Sequence, residues 1–270
     1  MDKIKITIFV LVYNNFEELD TTINSINSQS VNSQTEVIIS DDGSDNYDTS
    51  KLELCATMLR RRFPKVTVNV NKKNVGTVKH LNIVYNMAEG EYLISLSSGD
   101  RFYASNTVEH IVNKLEKSKA LIVTSPRVDV YPGGKSKRRP GKSMRFWLKH
   151  NPRKLMNYMI RKKNLISGCC TFYRKSLFEQ YGYLDERYHL VEDYTYYTYL
   201  LRRNVRFEWL GEVTVFHRMS GVSSGKVHPS IYSDIEMMRS NLLEYKEELA
   251  PSTVAFLEKC VRKTQGENNG

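Results

Sequence analysis

Up to residue 125 this 270-residue chain alternates strand-like and helix-like segments, and that order limits its folds more than anything else in it. Ile4 to Val12 is a continuous apolar-rich run with β-branched residues, as in a strand buried on both faces. Asn15 stands where it can cap a helix, with Glu18 three positions on, and Leu19, Ile23 and Ile26 then recur at helical spacing. Val37 to Ser40 reads as a second strand, and Leu52, Leu54 and Leu59 mark a helix that Pro64 stops. Val66, Val68 and Val70 alternate with polar residues as a third strand. Asn74-Val75-Gly76 turns into a helix carrying Leu81, Val84 and Met87, and Tyr92 to Leu96 is the fourth strand. A helix over Asn106 to Lys117 and a strand over Leu121 to Thr124 complete the series. Such alternation specifies an α/β protein with a mostly parallel sheet, right-handed crossovers and flanking helices.

Open sheets of this kind bind ligands at the carboxyl ends of their strands. Two acidic clusters stand there. Asp41-Asp42-Gly43-Ser44-Asp45 follows the second strand, and Ser97-Ser98-Gly99-Asp100 follows the fourth. A third acidic pair, Glu192-Asp193, comes much later. Two strand-end acids and a remote acid can serve a nucleotide, a metal and a base. Turn chemistry alone explains strand-end Asp and Gly equally well.

The second half is less regular. Residues 126 to 165 hold a basic, turn-rich stretch read as a loop, Pro132 to Gly141, and an aromatic-basic stretch, Arg145-Phe146-Trp147-Leu148-Lys149. Gly168 to Tyr173 reads as a short strand or tight loop, and Lys175 to Tyr181 as a helix ended by Gly182. Glu192-Asp193 opens a helix through Arg203, and Val213 to His217 is strand-like. Residues 230 to 263 form an amphipathic helix interrupted at Pro251, followed by a polar tail from Gln265 expected to be disordered.

The net charge of +10 attracts anionic partners: nucleic acid, lipid headgroups or phosphorylated small molecules. The basic runs lack an interleaved aromatic platform or a recognised nucleic-acid motif, which argues against nucleic acid. The region 135–149, with Trp147 between Arg145 and Lys149, fits a peripheral membrane contact. Apolar runs are too short to span a bilayer and no secretory segment follows Met1, so a cytoplasmic protein, at most peripheral at the inner face of the membrane, is expected. Cys55, Cys169, Cys170 and Cys260 form no CxxC pair and read as reduced thiols.

Taken in order, Val12-Tyr13-Asn14, Asp41-Asp42-Gly43-Ser44, Asn74-x-Gly76-x5-Asn82, Gly90-Glu91-Tyr92 leading to Ser97-Ser98-Gly99-Asp100, Gly182-x2-Asp185-Glu186, and Glu192-Asp193-Tyr194 form a specific set. The chain resembles the family 2 glycosyltransferases of the GT-A fold over roughly residues 4 to 225, in the style of bacterial enzymes that build surface polysaccharides or glycoprotein glycans. The resemblance implies a Rossmann-like GT-A domain over 1–225, with a nucleotide-sugar half at 1–125 and an irregular acceptor-binding half at 126–225. A C-terminal helical extension then occupies 226–270.

It also implies roles. Val12, Tyr13 and Asn14 belong to the nucleotide site, with Tyr13 stacking near the base, although a strand-end Tyr can equally be a core residue. Asp42 accepts the base N–H, which favours uracil or thymine over cytosine, and Asp41 helps through the ribose or the turn. Gly76 lets backbone approach the donor or simply makes a turn. Ser98 and Gly99 complete this site, and Lys79 can assist the phosphates. Asp100 holds Mn²⁺ or Mg²⁺ against the diphosphate. Ser97 and Gly99 replace the family's other acids there, so either one carboxylate suffices with the diphosphate's own oxygens or transfer is independent of metal. His217 stands where the family can place a metal or phosphate contact, although a lone His after a strand is more often structural, and Arg218 is a phosphate partner. Asp193 is the general base of an inverting transfer, with Glu192 orienting it or binding the acceptor; both could instead be helix N-terminal acids favoured by the macrodipole. His189 is an alternative base, and Ser220 to Ser224 resembles a loop that closes over donor. A UDP-sugar donor and a glycan, lipid-linked or glycoprotein acceptor follow, and the C-terminal helical segment could pair subunits into a homo-oligomer. The alternative is a nucleotide-sugar-binding partner subunit with little catalysis, because the acidic metal motif is thinned.

Overall fold

The computed structural model describes residues 3–31, 34–141, 144–149, 151–219 and 228–267. The first part of the chain forms β1 (Ile6–Val12), α1 (Leu19–Asn27), β2 (Thr35–Asp41), α2 (Thr49–Arg60), β3 (Lys65–Val70), α3 (Thr77–Met87) and β4 (Tyr92–Ser97). A short β5 (Arg101–Phe102), α4 (Thr107–Ser118), β6 (Ile122–Thr124), β7 (Arg127–Val130), β8 (Ser136–Arg139), α5 (Met144–Lys149) and α6 (Pro152–Arg161) follow. The chain then forms β9 (Thr171–Arg174), α7 (Ser176–Tyr181), α8 (Glu192–Arg202), β10 (Glu208–Trp209), β11 (Val215–Arg218), α9 (Pro229–Leu243) and α10 (Pro251–Glu267).

Among the described residues the strands make two sheets, ordered β10-β6-β9-β4-β1-β2-β3 and β5-β11-β7-β8. β1 and β2 read as continuous apolar runs because both faces are covered. On one face Ile8, Val10, Val37 and Ile39 pack with Leu19, Ile23, Leu52 and Leu59 of α1 and α2 and with α4. On the other, Phe9 and Ile38 pack with Val84 and Tyr85 of α3, Met156 and Met159 of α6, and Tyr197 and Leu200 of α8. Met238, Leu242 and Leu257 of α9 and α10 join this second core.

β1 pairs in parallel with β2 on one side and β4 on the other, and β3 extends the sheet past β2. The chain therefore reverses its direction of growth between β1 and β4, and the crevice at the carboxyl ends of those strands is the topological switch point. β9 runs antiparallel to β4 and β6, so its amino end reaches that same edge. In the second sheet β11 lies antiparallel to β5 and parallel to β7, which sets Phe216 beside both Arg101 and Val128.

Several sequence expectations change in detail. Asn15 does not cap α1; Glu18 precedes the helix without a side-chain cap, and Asn15 instead donates to the Ser98 carbonyl at 2.8 Å. The basic stretch 132–141 is not a loop throughout. Ser136–Arg139 pairs antiparallel with Arg127–Val130 as β8, turning at Gly133-Gly134, and Arg127 and Arg139 both reach buried Asp129. Leu54 lies on α2 but faces solvent. α10 runs through Glu267, past the point where the tail was expected to lose order. Among the described residues no helix is long and apolar enough to cross a membrane.

Candidate active site

The loops at the crevice are tied to one another before any ligand enters. After β1, Asn14 takes a left-handed conformation (φ 52°) and its N–H donates to Ser44 Oγ at 2.8 Å. The Asn14 side chain accepts from the Asp45 N–H and donates to the Asp45 carboxylate. Asp41, fully buried, accepts from the Ser44 N–H and hydroxyl and so shapes its own turn. Across the switch point, the Ser98 N–H donates to the Leu11 carbonyl, and its hydroxyl to that of Asn15. The Gly99 N–H donates to Thr22 of α1. Tyr13 is 43% exposed at this rim, so it is not a core residue.

Asp42 is buried, and its carboxylate accepts from the Asn71 amide (2.8 Å) and the N–H groups of Val75 and Gly76 (3.1 Å each). It thereby pins the loop into α3. Gly76 has φ +86°, and a Cβ there would stand 2.3 Å from the His189 ring. The missing side chain makes room for that ring.

Asp100 is 2% exposed in the turn between β4 and β5. His217 Nδ1 lies 3.0 Å from both its oxygens, and the Arg218 N–H donates to it at 2.9 Å. Burial pushes the Asp100 carboxyl upward against the pull of these two partners. Burial disfavours charge on His217, but hydrogen bonds with Asp100 and Cys169 outweigh it and raise its pKa to about 10. The ligand atoms of Asp100, His217 and Cys169 all lie within 4.8 Å of one another, an oxygen, nitrogen and sulfur set suited to a divalent cation.

Cys169 sits in a 3₁₀ turn, Gly168–Cys170, that leads into β9. The Gly168 N–H donates to Asp193 at 3.2 Å. A Cβ on Gly168 would come within 3.0 Å of Glu192 Oε1, so glycine lets the first turn of α8 close on this turn. Burial raises the Glu192 pKa to about 8, helped by the neighbouring Asp193 charge. Burial also raises Asp193, to about 6, but the Gly168 and Tyr194 N–H groups hold it lower than its neighbour. The pair thus divides into a stronger acid, Asp193, and a weaker one, Glu192.

A family model, Glycosyl transferase family 2, matches residues 7–182, more than half of the chain. The chain belongs to glycosyl transferase family 2. Uncharacterized glycosyltransferases of Rickettsia felis and Rickettsia conorii are each 26% identical to this family 2 chain, over 201 and 196 residues. These matches take in 73% and 70% of this chain but only 31% and 30% of the relatives, so the chain spans about a third of the curated relatives it matches. S. aureus TarS 1–349 in complex with UDP-GlcNAc superposes with a TM-score of 0.67 at 18% identity, over 89% of this chain and 67% of that one. A mannosyltransferase, PcManGT from Pyrobaculum calidifontis, in complex with GDP-Man and Mn²⁺, superposes with a TM-score of 0.59 at 14% identity, over 98% and 76% of the two chains. The likeness establishes the GT-A fold.

Other residues singled out in this family 2 sequence are placed as follows. Lys79 points to Glu186, 3.8 Å away, and Arg218 pairs with Glu18, just before α1. Ser220 to Ser224 lies outside the described residues. The His189 ring packs at Gly76, and the backbone N–H groups of His189, Leu190 and Val191 donate to Asp234 of α9 at 2.7–3.0 Å. Asp234 thus holds the three residues that lead into Glu192-Asp193. Sequence reading missed Asp234 and Cys169. An acid within an amphipathic helix looks like part of its solvated face, and adjacent cysteines lack metal-ligand spacing.

Removing Asp234 leaves buried donors without a charged acceptor. Asp234→Ala is therefore expected to destabilise the fold by on the order of 1.5–3 kcal/mol, a drop of several degrees in Tm. Tyr232→Ala, on an exposed position of the same helix, should leave Tm nearly unchanged. Equal melting of both variants with wild type would show that Asp234 does not hold the loop.

Proposed function

We propose that the chain transfers a sugar from a UDP-sugar to a hydroxyl of a glycan, lipid-linked or glycoprotein acceptor, with inversion and with Asp193 as general base. One observation carries this reading. Gly168 donates to Asp193 while the next residue, Cys169, lies beside Asp100 and His217. The proposed base and the proposed cation site thus adjoin at the switch-point edge, as transfer from a metal-bound diphosphate to a deprotonated hydroxyl requires.

Asp100 and His217 would hold Mn²⁺ or Mg²⁺, whose charge offsets that of the leaving diphosphate. Asp193 takes the acceptor's proton as its oxygen bonds to the anomeric carbon, and the bond from that carbon to the diphosphate oxygen breaks on the opposite side. Burial and the Asp193 charge push the Glu192 carboxyl upward, which disfavours a second negative charge beside Asp193. Tyr13 offers its exposed ring to the base. Among the described residues Asp42 Oδ2 accepts the Gly76 N–H, and its second lone pair is the proposed acceptor for an imide N–H of uracil. TarS 1–349, itself solved with UDP and with UDP-GlcNAc, supports a uridine donor by analogy, and the Mn²⁺ in PcManGT supports a divalent cation. A peripheral membrane contact is supported by exposed Lys137, Arg138 and Arg145 with Phe146, which is 59% exposed.

Calorimetry with UDP, CDP and GDP in the presence of Mn²⁺ tests the donor. UDP is expected to bind most tightly, and Asp42→Ala to erase the preference. Equal affinities for the three nucleotides would set the uridine reading aside.

A further inference from the structure

The thiol of Cys169 belongs neither to the nucleotide loops nor to the acid pair, yet it completes a three-element cluster. Asp100 comes from the β4–β5 turn, His217 from β11 and Cys169 from the turn before β9, with their ligand atoms within 4.8 Å of one another. The backbone around Cys169 is fixed on both sides. The Gly168 N–H is held by Asp193, the Cys170 N–H donates to the Ser167 carbonyl, and the Thr171 N–H donates to that of Gly168. Cys170 is buried in the core, whereas Cys169 is only half-buried and lies with the cluster. Building on the reading of Asp100 and His217 as cation ligands, we propose that Cys169 is a third protein ligand. Its sulfur turns the site from the hard ions Mg²⁺ and Mn²⁺ toward thiophilic divalent ions such as Co²⁺ and Zn²⁺.

The donor set argues for this. Oxygen-only sites suit Mg²⁺ and Mn²⁺, imidazole suits Zn²⁺ and its neighbours, and thiolate selects softer ions still. Ordinary affinity also rises from Mn²⁺ through Co²⁺ toward Zn²⁺ at mixed N, O and S sites. Three protein ligands leave at least one coordination position open, as a site that must meet a substrate oxygen requires.

The test is spectroscopic and independent of turnover. Metal-free protein is titrated with Co²⁺, without thiol reductant and under anaerobic conditions, with and without UDP. Wild type is expected to show a near-ultraviolet thiolate-to-cobalt charge-transfer band rising in step with the visible ligand-field bands, to one Co²⁺ per chain. Cys169→Ser should lose the near-ultraviolet band while keeping weaker cobalt binding, and Cys260→Ser should keep both. Zn²⁺ should displace Co²⁺ at lower concentration than Mn²⁺ does, and Cys169→Ser should narrow that gap. Cobalt binding without the charge-transfer band, or the same band in Cys169→Ser, would overturn the thiolate ligand while leaving the cation reading of Asp100 and His217 intact. Absence of any cobalt binding, with or without UDP, would overturn both.

Discussion

Asp193→Asn is expected to slow sugar transfer by about two to four orders of magnitude, the range for a positioned acid or base, while leaving UDP affinity nearly unchanged. The substitution keeps the side chain's shape but removes the proton acceptor. On the proposed reading UDP affinity is spared because the base meets the acceptor hydroxyl and not the nucleotide; the carboxylate itself is held by the Gly168 and Tyr194 N–H groups. Loss of rate without loss of binding marks an interaction made in the transition state. A fall in UDP affinity matching the fall in rate would make Asp193 a donor-binding or structural residue. The wild-type rate should also rise with pH through about 6, as Asp193 loses its proton. Glu192 gives a separate sign to stability. Its pKa, raised from 4.5 to about 8, means that the folded state holds a proton the unfolded chain has released between those values. Stability from this group is therefore full below about pH 4.5 and falls as pH rises through that window. Glu192→Gln should remove this part of the alkaline decline, read as Tm against pH.

Asp100→Ala should weaken UDP binding measured with Mn²⁺ by at least the roughly 10–100-fold that loss of even an outer-shell partner costs a metal site. The same carboxylate accepts from His217 and the Arg218 N–H, so its loss also loosens the end of β11. A chelator separates the two effects. With metal removed, the UDP affinities of wild type and variant should converge if cation binding is the main role of Asp100. A gap of unchanged size in chelator would assign Asp100 to holding β11, and full metal-supported binding in the variant would remove it from the cation site. Circular dichroism confirms that both proteins are folded before affinities are compared.

The buried parts of the fold were the legible parts. β1 and β2 are covered on both faces, so their apolar runs can be nothing else, and the carboxyl ends where Asp41, Asp42 and Asp100 stand follow from strand order alone. The basic hairpin was misread because every residue of β8 is exposed: no alternation of apolar and polar residues marks Ser136–Arg139, and Gly133-Gly134 suggested only a loop. Asn15 looked like a helix cap because its spacing to Glu18 fits, but the helix begins later and the side chain is used across the switch point. The acid pair was visible as a pair. Gly168, which donates to Asp193, and Asp234, which holds the residues before the pair, were not, since they arrive from other elements and no local pattern records contacts made across the fold. Cys169 is the same case. Its companions Asp100 and His217 are far away in sequence and meet it only once β4, β9 and β11 are in place.

The most direct test of a base and a cation site working on one anomeric carbon is the stereochemistry of turnover. Purified protein with Mn²⁺ is incubated with a panel of UDP-sugars and hydroxyl acceptors, water included, and the anomer first formed is read by NMR alongside UDP release. The expected result is UDP release with inverted configuration at the anomeric carbon, lost in Asp193→Asn. Retained configuration would contradict direct displacement assisted by Asp193. Tight UDP binding with no turnover of any donor would instead favour a chain that binds nucleotide sugars without transferring them.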